Sequence, residues 1–302
     1  MSVFPTKILL ATDGSVDAQL AATTAWKLAA VTNSELHVLH VGPTTLIPYD
    51  SSLPEGTEQA RAKREAEKLL NEQVKRLESA GSSVAQSHLR MGGAAEEIVA
   101  LGEEMEAGLI VVGSRGRGGL RRALMGSVSD AVVRYAHCPV LVVRRGEDGE
   151  PIVSSKKVLL ATDGSEEAEL AATTAAELAK STDSELYVIY VWGMESWRFP
   201  KDAQGNFPEG YETRREEQRR IRDRQVEKIE ASGGSVANSH LAMGHPADQI
   251  VAYAQDEGVG LIVMGSRGRE GIRRALMGSI SDAVVRHAHC PVMIVRPEKA
   301  DR

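Results

Sequence analysis

The chain alternates short apolar runs with longer segments whose apolar positions recur at helical spacing. Two runs, KILLA at 7–11 and LIVVG at 109–113, are bounded by turn residues, as is typical of parallel strands that are buried on both faces. The segments ELHVLHV, SVAQSHL and PVLVV are the other strand candidates of the first half. The pattern therefore predicts five strands in this half.

Helical segments separate these strands. One predicted helix carries an apolar face made of Leu20, Ala21, Ala25 and Leu28. A second carries a face made of Ala66, Leu69, Leu70, Val74 and Leu77, and Gly81 then supplies a C-terminal stop. Strands that alternate with helices specify a parallel sheet with right-handed crossovers. Each half is thus predicted to be a five-stranded α/β domain.

The sequence is an internal duplication. ILLATDGSVDAQLAATTA from Ile8 recurs as VLLATDGSEEAELAATTA from Val158. The offset is 163 − 13 = 150 between Asp13 and Asp163, and 265 − 113 = 152 between Gly113 and Gly265. Self-similarity over this length indicates whole-domain duplication rather than a stacked array. We predict a first domain over 1–145, a linker over 146–155 and a second domain over 156–302.

A glycine- and arginine-rich stretch also occurs twice, as GSRGRGGLRRALMGS at 113–127 and as GSRGREGIRRALMGS at 265–279. In each half it follows the predicted fourth strand, while ATDGS follows the first. Open α/β sheets bind ligands beyond the carboxyl ends of the strands, where the strand order reverses. With the order 3-2-1-4-5, these two loops face one crevice.

The glycine-rich stretch runs into a predicted helix. Val128, Ala131, Val132 and Tyr135 have the spacing of an apolar helix face. Ser127, followed by Asp130, is predicted to cap the start of this helix.

An anion site is predicted at the same helix start. Backbone N–H groups of residues 126–129 point out of the first turn at the positive end of the helix dipole. Gly113 and Gly116 are expected to let the backbone approach a ligand without a Cβ.

The spacing in both halves is G-x-x-G, nine residues, then G-S, which matches neither the P-loop nor the dinucleotide-binding fingerprint. With this spacing, with ATDGS after the first strand, MGHPADQI before a helix and the closing CPVLVV, the chain resembles a tandem universal stress protein of the ATP-binding branch. The resemblance covers nearly all of both halves. It implies two tandem Rossmann-like domains of the adenine nucleotide alpha hydrolase-like type, with helices on both faces of each sheet.

The resemblance also implies one ATP per half, with or without Mg²⁺, and a role in stress survival. Asp13 and Asp163 would lie beside the ribose and the base, and the backbone of Val41 and Val191 would meet adenine. The implied binding set of the first half is Ala11, Asp13, Val41, Gly113, Ser114, Arg115, Gly116, Arg117, Arg122, Gly126, Ser127, Val128 and Ser129. That of the second half is Ala161, Asp163, Val191, Gly265, Ser266, Arg267, Gly268, Arg269, Arg274, Gly278, Ser279, Ile280 and Ser281.

Composition narrows the classes of partner. The formal net charge of −6 disfavours binding to nucleic acid, and no aromatic residues alternate with the loop arginines to stack bases. No apolar run approaches the roughly 20 residues that span a bilayer, so we expect a cytoplasmic protein. Cys138 and Cys290 occupy the same slot of the repeat, which argues against a disulfide framework.

Several alternatives remain open from the sequence. Asp13 could bind a ligand or only shape the turn after the first strand, and His40, His88 and His240 are expected to be structural. No metal site is predicted. The apolar last strands, PVLVV and PVMIV, are expected to pair within the chain as a pseudo-dimer, and the resemblance implies dimerisation through them; further homodimerisation is left open.

The favoured function is a nucleotide-dependent regulatory module with at most slow hydrolysis, because the motifs offer no second carboxylate or glutamine to orient a water. No catalytic residue is predicted. A nucleotide hydrolase or nucleotidyl transferase on the same fold, and a nucleotide-free interaction scaffold, are the alternatives.

Overall fold

The structure, a computed structural model, describes residues 6–43, 58–116, 125–145, 155–192, 210–268 and 277–297. The chain divides into two compact units, Met1–Ile152 together with Pro297–Arg302, and Val153–Arg296; the boundary between Ile152 and Val153 falls inside the predicted linker. Among the described residues, no helix is both long enough and apolar enough to span a membrane.

The first domain is a five-stranded parallel sheet in the order β3-β2-β1-β4-β5, the order that the sequence predicts. Its elements are β1 (Lys7–Ala11), α1 (Val16–Thr32), β2 (Glu35–Gly42), α2 (Glu58–Ser79), β3 (Gln86–Met91), α3 (Ala94–Glu104), β4 (Leu109–Gly113), α4 (Ser127–Tyr135) and β5 (Val140–Val143). The runs KILLA and LIVVG are β1 and β4 with the predicted bounds. The third strand begins later than SVAQSHL suggests, because its pairing with β2 starts at Gln86 opposite His37.

The second domain repeats this order as β8-β7-β6-β9-β10, again with parallel pairing. Its elements are β6 (Lys157–Thr162), α5 (Glu166–Ser181), β7 (Glu185–Trp192), α6 (Tyr211–Ala231), β8 (Val236–Met243), α7 (Pro246–Asp256), β9 (Leu261–Gly265), α8 (Ser279–His287) and β10 (Val292–Val295).

The core of each domain lies along its two central strands. Leu9 and Leu10 in β1 and Ile110 in β4 are fully buried, as are Leu159 and Leu160 in β6. Consecutive residues of one strand are buried because both faces of a parallel sheet are covered, which explains the unbroken apolar runs. The crossover helices α1 and α5 pack through alanines, which bring their backbones close to the sheet.

The turn after the central strand begins the first helix of each domain. Ser15 is the N-cap of α1 and its Oγ accepts a hydrogen bond from the Ala18 N–H at 3.2 Å. Ser165 does the same for Ala168 in the second domain. The preceding Gly14 has φ +77°, a conformation that favours glycine. ATDGS therefore contains the end of β1 at Ala11, a left-handed turn at Gly14 and the N-cap of α1 at Ser15.

The predicted apolar face of α4 is wrong at Val128 and Tyr135 and correct at Val132. Val128 and Tyr135 are 38% and 59% exposed, whereas Ser129, Val132 and Val133 are buried. The face is shifted by one residue because the Ser129 hydroxyl is needed inside, where it donates to the carbonyl oxygens of Ser114 and Gly126. Because the buried face includes the polar Ser129, the spacing of apolar residues alone does not identify it.

Candidate functional site

The loops after β1 and β4 meet at the carboxyl end of the first domain's sheet. Their strands pair directly, with Leu10 opposite Val111. The Ser15 hydroxyl donates to the Arg115 carbonyl oxygen at 3.1 Å, which ties the helix cap to the glycine-rich loop. A Cβ built on Gly116 would lie 2.6 Å from Asp13 Oδ2. The described parts of the two loops are therefore in contact, as expected of loops that follow neighbouring strands.

Asp13 shapes its own turn. Its Oδ1 accepts from the Ser15 N–H at 2.9 Å, and Asp163 does the same for Ser165 at 3.0 Å. Asp13 therefore helps to shape its turn, as one of the two alternatives for this residue proposed, and Asp163 does the same in the second domain. Because the same hydrogen bond fixes the direction of the carboxylate, Oδ2 is held against the glycine of the neighbouring loop. A contact of either aspartate with ribose stays a prediction.

The glycine-rich loop closes on its own beginning. The Gly126 N–H donates to the Ser114 carbonyl oxygen at 2.8 Å, and the Gly126 carbonyl accepts the first helical bond, from Asp130 at 2.9 Å. The Ser129 hydroxyl bonds to the same Ser114 oxygen at 3.0 Å. The fixed spacing of the motif thus follows from a clamp that holds the start of α4 over the end of β4.

The second domain has the same clamp. Gly278 donates to Ser266 at 2.8 Å, and Asp282 donates to Gly278 at 3.0 Å. Ser281 Oγ donates to the Ser266 carbonyl oxygen at 2.7 Å. Both copies of the motif therefore position a helix start in the same way.

The predicted cap of α4 needs correction. Gly126, not Ser127, is the N-cap, and no side chain caps the helix. Asp130 instead binds Arg134 one turn later, at 2.9 Å. Ser127 and Val128 occupy the first turn, where an N–H has no intrahelical acceptor. This strengthens the anion site, because no capping hydroxyl competes for those N–H groups.

The glycine at the end of β4 is explained by packing. A Cβ on Gly113 would lie 2.8 Å from the backbone nitrogen of Ala18 and 2.8 Å from the carbonyl carbon of Asp17. The first turn of α1 occupies this space, so the missing side chain leaves no room for a ligand there. The expectation that Gly113 opens the backbone to a ligand is wrong in this respect.

The backbone of Val41 lies where the sheet ends. Alternate residues of a parallel strand direct their N–H and C=O groups to the same neighbour. The Leu39 carbonyl accepts from Thr12 and the Gly42 carbonyl accepts from Gly92, so Val41 is directed toward the β1 side. The pairing of β1 with β2 ends at Ala11 and Leu39. Val41 therefore presents its backbone beyond the last pair of the ladder.

Val191 has the same placement, since the Trp192 carbonyl accepts from Gly244 on the β8 side. Ala11 is buried as the last residue of β1, and Ala161 is buried one residue before the end of β6. Four arginines of the predicted set lie outside the described residues: Arg117, Arg122, Arg269 and Arg274.

Sequence reasoning missed a buried carboxylate at the base of each loop. Asp17 accepts from Ser114 Oγ at 2.8 Å and from Arg145 Nε at 2.9 Å. At the equivalent position, Glu167 accepts from Ser266 Oγ at 2.6 Å and from Arg267 Nε at 2.6 Å. The repeat alignment, which pairs Asp17 with Glu167, was the signal that could have found them.

No group of three or more His, Cys, Asp or Glu side chains that could hold a metal ion occurs among the described residues. The carboxylates around the loop already have partners. Asp13 binds the Ser15 N–H, Asp17 binds Ser114 and Arg145, and Asp130 binds Arg134. The arrangement offers backbone donors and positive charge, which suit the binding of an anion.

Comparison with known proteins gives a consistent result. The sequence profile of the universal stress protein family matches residues 5–144 and 154–296. A universal stress protein of Mycobacterium tuberculosis is 28% identical over 308 residues, with 96% of each chain covered. One of Methanocaldococcus jannaschii is 33% identical over 160 residues, 53% of this chain and 90% of its own length. The crystal structure of a universal stress protein from Archaeoglobus fulgidus has a TM-score of 0.70 at 25% identity, covering 96% of this chain and 98% of that one.

Proposed function

The chain belongs to the universal stress protein family, and on that premise we propose that each of its domains binds ATP and reports the occupancy through its conformation or assembly. The observation that carries the proposal is the clamped helix start beside Asp13. Backbone N–H groups of Ser127 and Val128 point out of a helix whose position is fixed by Gly126 and Ser114. Such a site suits phosphate groups.

The adenine end of the proposed site is the backbone of Val41 and Val191. An N–H and a C=O directed past the end of a ladder can pair with the edge of a purine, which offers both an acceptor and a donor. Asp13 follows β1, and β1 lies between β2 and β4 in the sheet. Asp13 is therefore placed between the backbone of Val41, at the end of β2, and the phosphate loop, which follows β4. Mg²⁺ would accompany the phosphates, since no group of three or more His, Cys, Asp or Glu side chains among the described residues could hold it by itself.

We further propose that hydrolysis is slow. Fast phosphoryl transfer needs a group that orients the attacking water. The carboxylates of Asp13, Asp17 and Asp130 each accept a hydrogen bond from within the protein, so none is dedicated to that task. A steady-state turnover assay with Mg²⁺ tests this, and multiple rapid turnovers would instead support an enzyme.

The phosphate site is tested by replacing Ser127 and Ser279 together with proline. Proline is well tolerated at the first position of a helix, and the preceding Gly126 and Gly278 both have φ −77° and ψ 152°, which suits a residue before proline. The substitution removes an N–H from each site without disturbing the helix. Ser127→Ala with Ser279→Ala is the matched control, because it removes only the hydroxyl.

The expected result is a loss of ATP affinity in the proline variant alone. A hydrogen bond to a charged group contributes about 1.5–3 kcal/mol, so calorimetry should show about a tenfold to hundredfold weaker binding. Unchanged affinity in the folded proline variant would place the phosphates elsewhere. A wild-type protein that binds no nucleotide at all would favour the scaffold alternative.

Two finer expectations rest on the sequence. The cytoplasmic location is proposed from the composition. The pairing of PVLVV with PVMIV stays a prediction from their apolar sequences, and a cross-linking survey of the intact chain tests it.

A further inference from the structure

The two domains carry carboxylates of different length at one buried position. Asp17 and Glu167 are both the second residue of the helix that follows the central strand. Both accept from the serine that opens the glycine-rich loop, at 2.8 Å in the first domain and 2.6 Å in the second. Each carboxylate has a further oxygen, and its partner differs between the domains.

In the first domain, the partner is an arginine outside the loop. Arg145 Nε donates to Asp17 Oδ1 at 2.9 Å, and the Asp17 side chain is only 5% exposed. The loop arginine, Arg115, forms no ion pair with a described carboxylate, and its Nε is buried without a hydrogen-bond partner among the described residues. Among the described residues, no carboxylate is therefore paired with the positive charge of Arg115 at the start of the loop.

In the second domain, the carboxylate turns to the loop itself. The position equivalent to Arg145 is Pro297, since 145 + 152 = 297, and proline has no side-chain donor. Glu167, one methylene longer, accepts from the Arg267 N–H at 2.7 Å and from Arg267 Nε at 2.6 Å. The Glu167 side chain is 13% exposed and that of Arg267 is 29% exposed. Both a backbone donor and a guanidinium are thus committed to an internal, largely buried carboxylate.

The sequence shows a second difference in charge between the two loops, and it also makes the second loop less positive than the first. All four loop arginines recur in the second copy of the motif, whereas Gly118 of the first copy is replaced by Glu270 in the second. Gly118 and Glu270 lie outside the residues that the structure describes. The sequence of the second loop therefore contains one carboxylate that the first loop lacks. Glu167 of α5 also binds Arg267 of that loop, whereas Asp17 of α1 binds Arg145.

We propose that Glu167 makes the two nucleotide sites unequal in their selectivity for phosphate charge. Resting on the proposed function, this predicts that both sites take ATP but that the preference for ATP over AMP is larger in the first domain than in the second. A phosphate chain at the first site meets Arg115, which pairs with no described carboxylate. At the second site it must compete with Glu167 for Arg267, and the carboxylate repels the added phosphates. Glu167 is a positioning residue, because it acts through Arg267.

The test uses the full-length chain with one site disabled at a time. Ser279→Pro leaves the first site and Ser127→Pro leaves the second, and each protein is titrated calorimetrically with ATP, AMP and adenosine. The preference for ATP over AMP is expected to be about tenfold larger at the first site. The adenosine affinity of each site serves as that site's own reference, because adenosine has no phosphate to meet either arginine.

Shortening the carboxylate should convert the second site. In the Ser127→Pro background, Glu167→Asp reproduces the side chain of the first domain and is expected to strengthen ATP binding about tenfold, with adenosine unchanged. A gain in affinity cannot arise from structural damage. Glu166→Asp is the matched control, since it makes the same change at an exposed neighbouring residue. Should Glu167→Asp fold poorly, Glu167→Gln removes the charge at constant length and is expected to act in the same direction.

Failure of this inference and failure of the proposed ATP binding give different results in these titrations. Equal ATP-to-AMP ratios at the two sites, or an ATP affinity that neither Glu167 variant changes, would overturn the inference while leaving ATP binding intact. Binding of no nucleotide at either site would overturn the proposed function itself.

Discussion

The two domains share one scaffold and differ at the edges of the crevice. In the first, Gly42 ends β2 beside Ala66 of α2, and a Cβ there would lie 3.0 Å from that alanine. In the second, the equivalent Trp192 packs on Tyr211 of α6 with ring centroids 5.7 Å apart. Duplication has kept the strand order, the helix cap and the loop clamp, while the surroundings of each crevice have changed. The shared parts identify what the site requires, and the changed parts show how each copy can differ.

The aromatic cluster should produce the largest difference in stability. Trp192 is 8% exposed and packs with Tyr190 and Tyr211. Trp192→Ala is expected to lower the unfolding free energy of the second domain by about 3–5 kcal/mol, with the first domain unaffected. Hydrogen exchange read by mass spectrometry resolves the two domains, and Trp192→Phe is the milder control. A loss spread over both domains would contradict the assignment of this cluster to one of them.

The glycine that ends β4 should be less replaceable than its counterpart. A Cβ on Gly113 would lie 2.8 Å from backbone atoms of α1, whereas one on Gly265 would meet nothing closer than 3.1 Å. Gly113→Ala should cost about 2–3 kcal/mol, since the helix backbone must move, and Gly265→Ala about 1 kcal/mol. Urea unfolding of the two single variants measures the difference. Equal costs would show that the packing of α1 and α5 on their sheets is equivalent.

The two helix caps test how firmly each loop is tied to its neighbour. Ser15 caps α1 and also donates to the Arg115 carbonyl at 3.1 Å, while Ser165 caps α5 without an equivalent bond to a described residue. Loss of a serine cap costs about 1 kcal/mol, and the extra hydrogen bond about 1 kcal/mol more. Ser15→Ala should therefore destabilise by about 2 kcal/mol and Ser165→Ala by about half of that. A larger cost for Ser165→Ala would reverse the comparison.

A pair of histidines makes the first domain sensitive to acid. His37 Nδ1 and His88 Nε2 lie 3.2 Å apart with the rings stacked, and burial, followed by the charge of His37, lowers the pKa of His88 from its usual 6.5. Arg90 lowers this pKa further and Glu104 opposes the shift. The folded state therefore disfavours the protonated form of His88.

The sign of the pH effect follows directly. Between the lowered pKa of folded His88 and about pH 6.5, the unfolded chain binds more protons at this residue than the folded chain does. The stability of the first domain should therefore fall as the pH drops from about 6.5 to that lowered pKa, with no further loss from His88 below it. The second domain has Tyr187 in place of His37. His37→Tyr is expected to reduce the pH dependence without abolishing it, because burial of His88 remains. Unfolding midpoints of the variant and the wild type across this range provide the measurement, and parallel curves would contradict the role of the pair.

Much of this architecture could be predicted from the sequence because the information is local. KILLA and LIVVG are short apolar runs, a pattern typical of strands that are buried on both faces. Their bounds coincide with those of β1 and β4. The loop spacing in both halves likewise located the helix start that the clamp holds. The face of α4 could not be read from apolar spacing, because Ser129 is buried for its hydrogen bonds.

The ion pair of Asp17 with Arg145 could not be predicted from the sequence, for a different reason. Asp17 and Arg145 are 128 residues apart in the chain, and nothing local in either segment announces their contact. The pair becomes visible only when the two halves are aligned and both positions change together, to Glu167 and Pro297. A duplicated chain thus carries its own comparison, although the geometry is needed to give that comparison a meaning.

The most direct test of the central claim is to saturate the purified chain with ATP, remove unbound ligand, release the bound small molecules with acid and identify them. The account predicts adenine nucleotide from the wild type, one molecule for each domain, and little or none from the protein that carries Ser127→Pro and Ser279→Pro. Recovery of equal amounts from both proteins, or of none from the wild type, would contradict it.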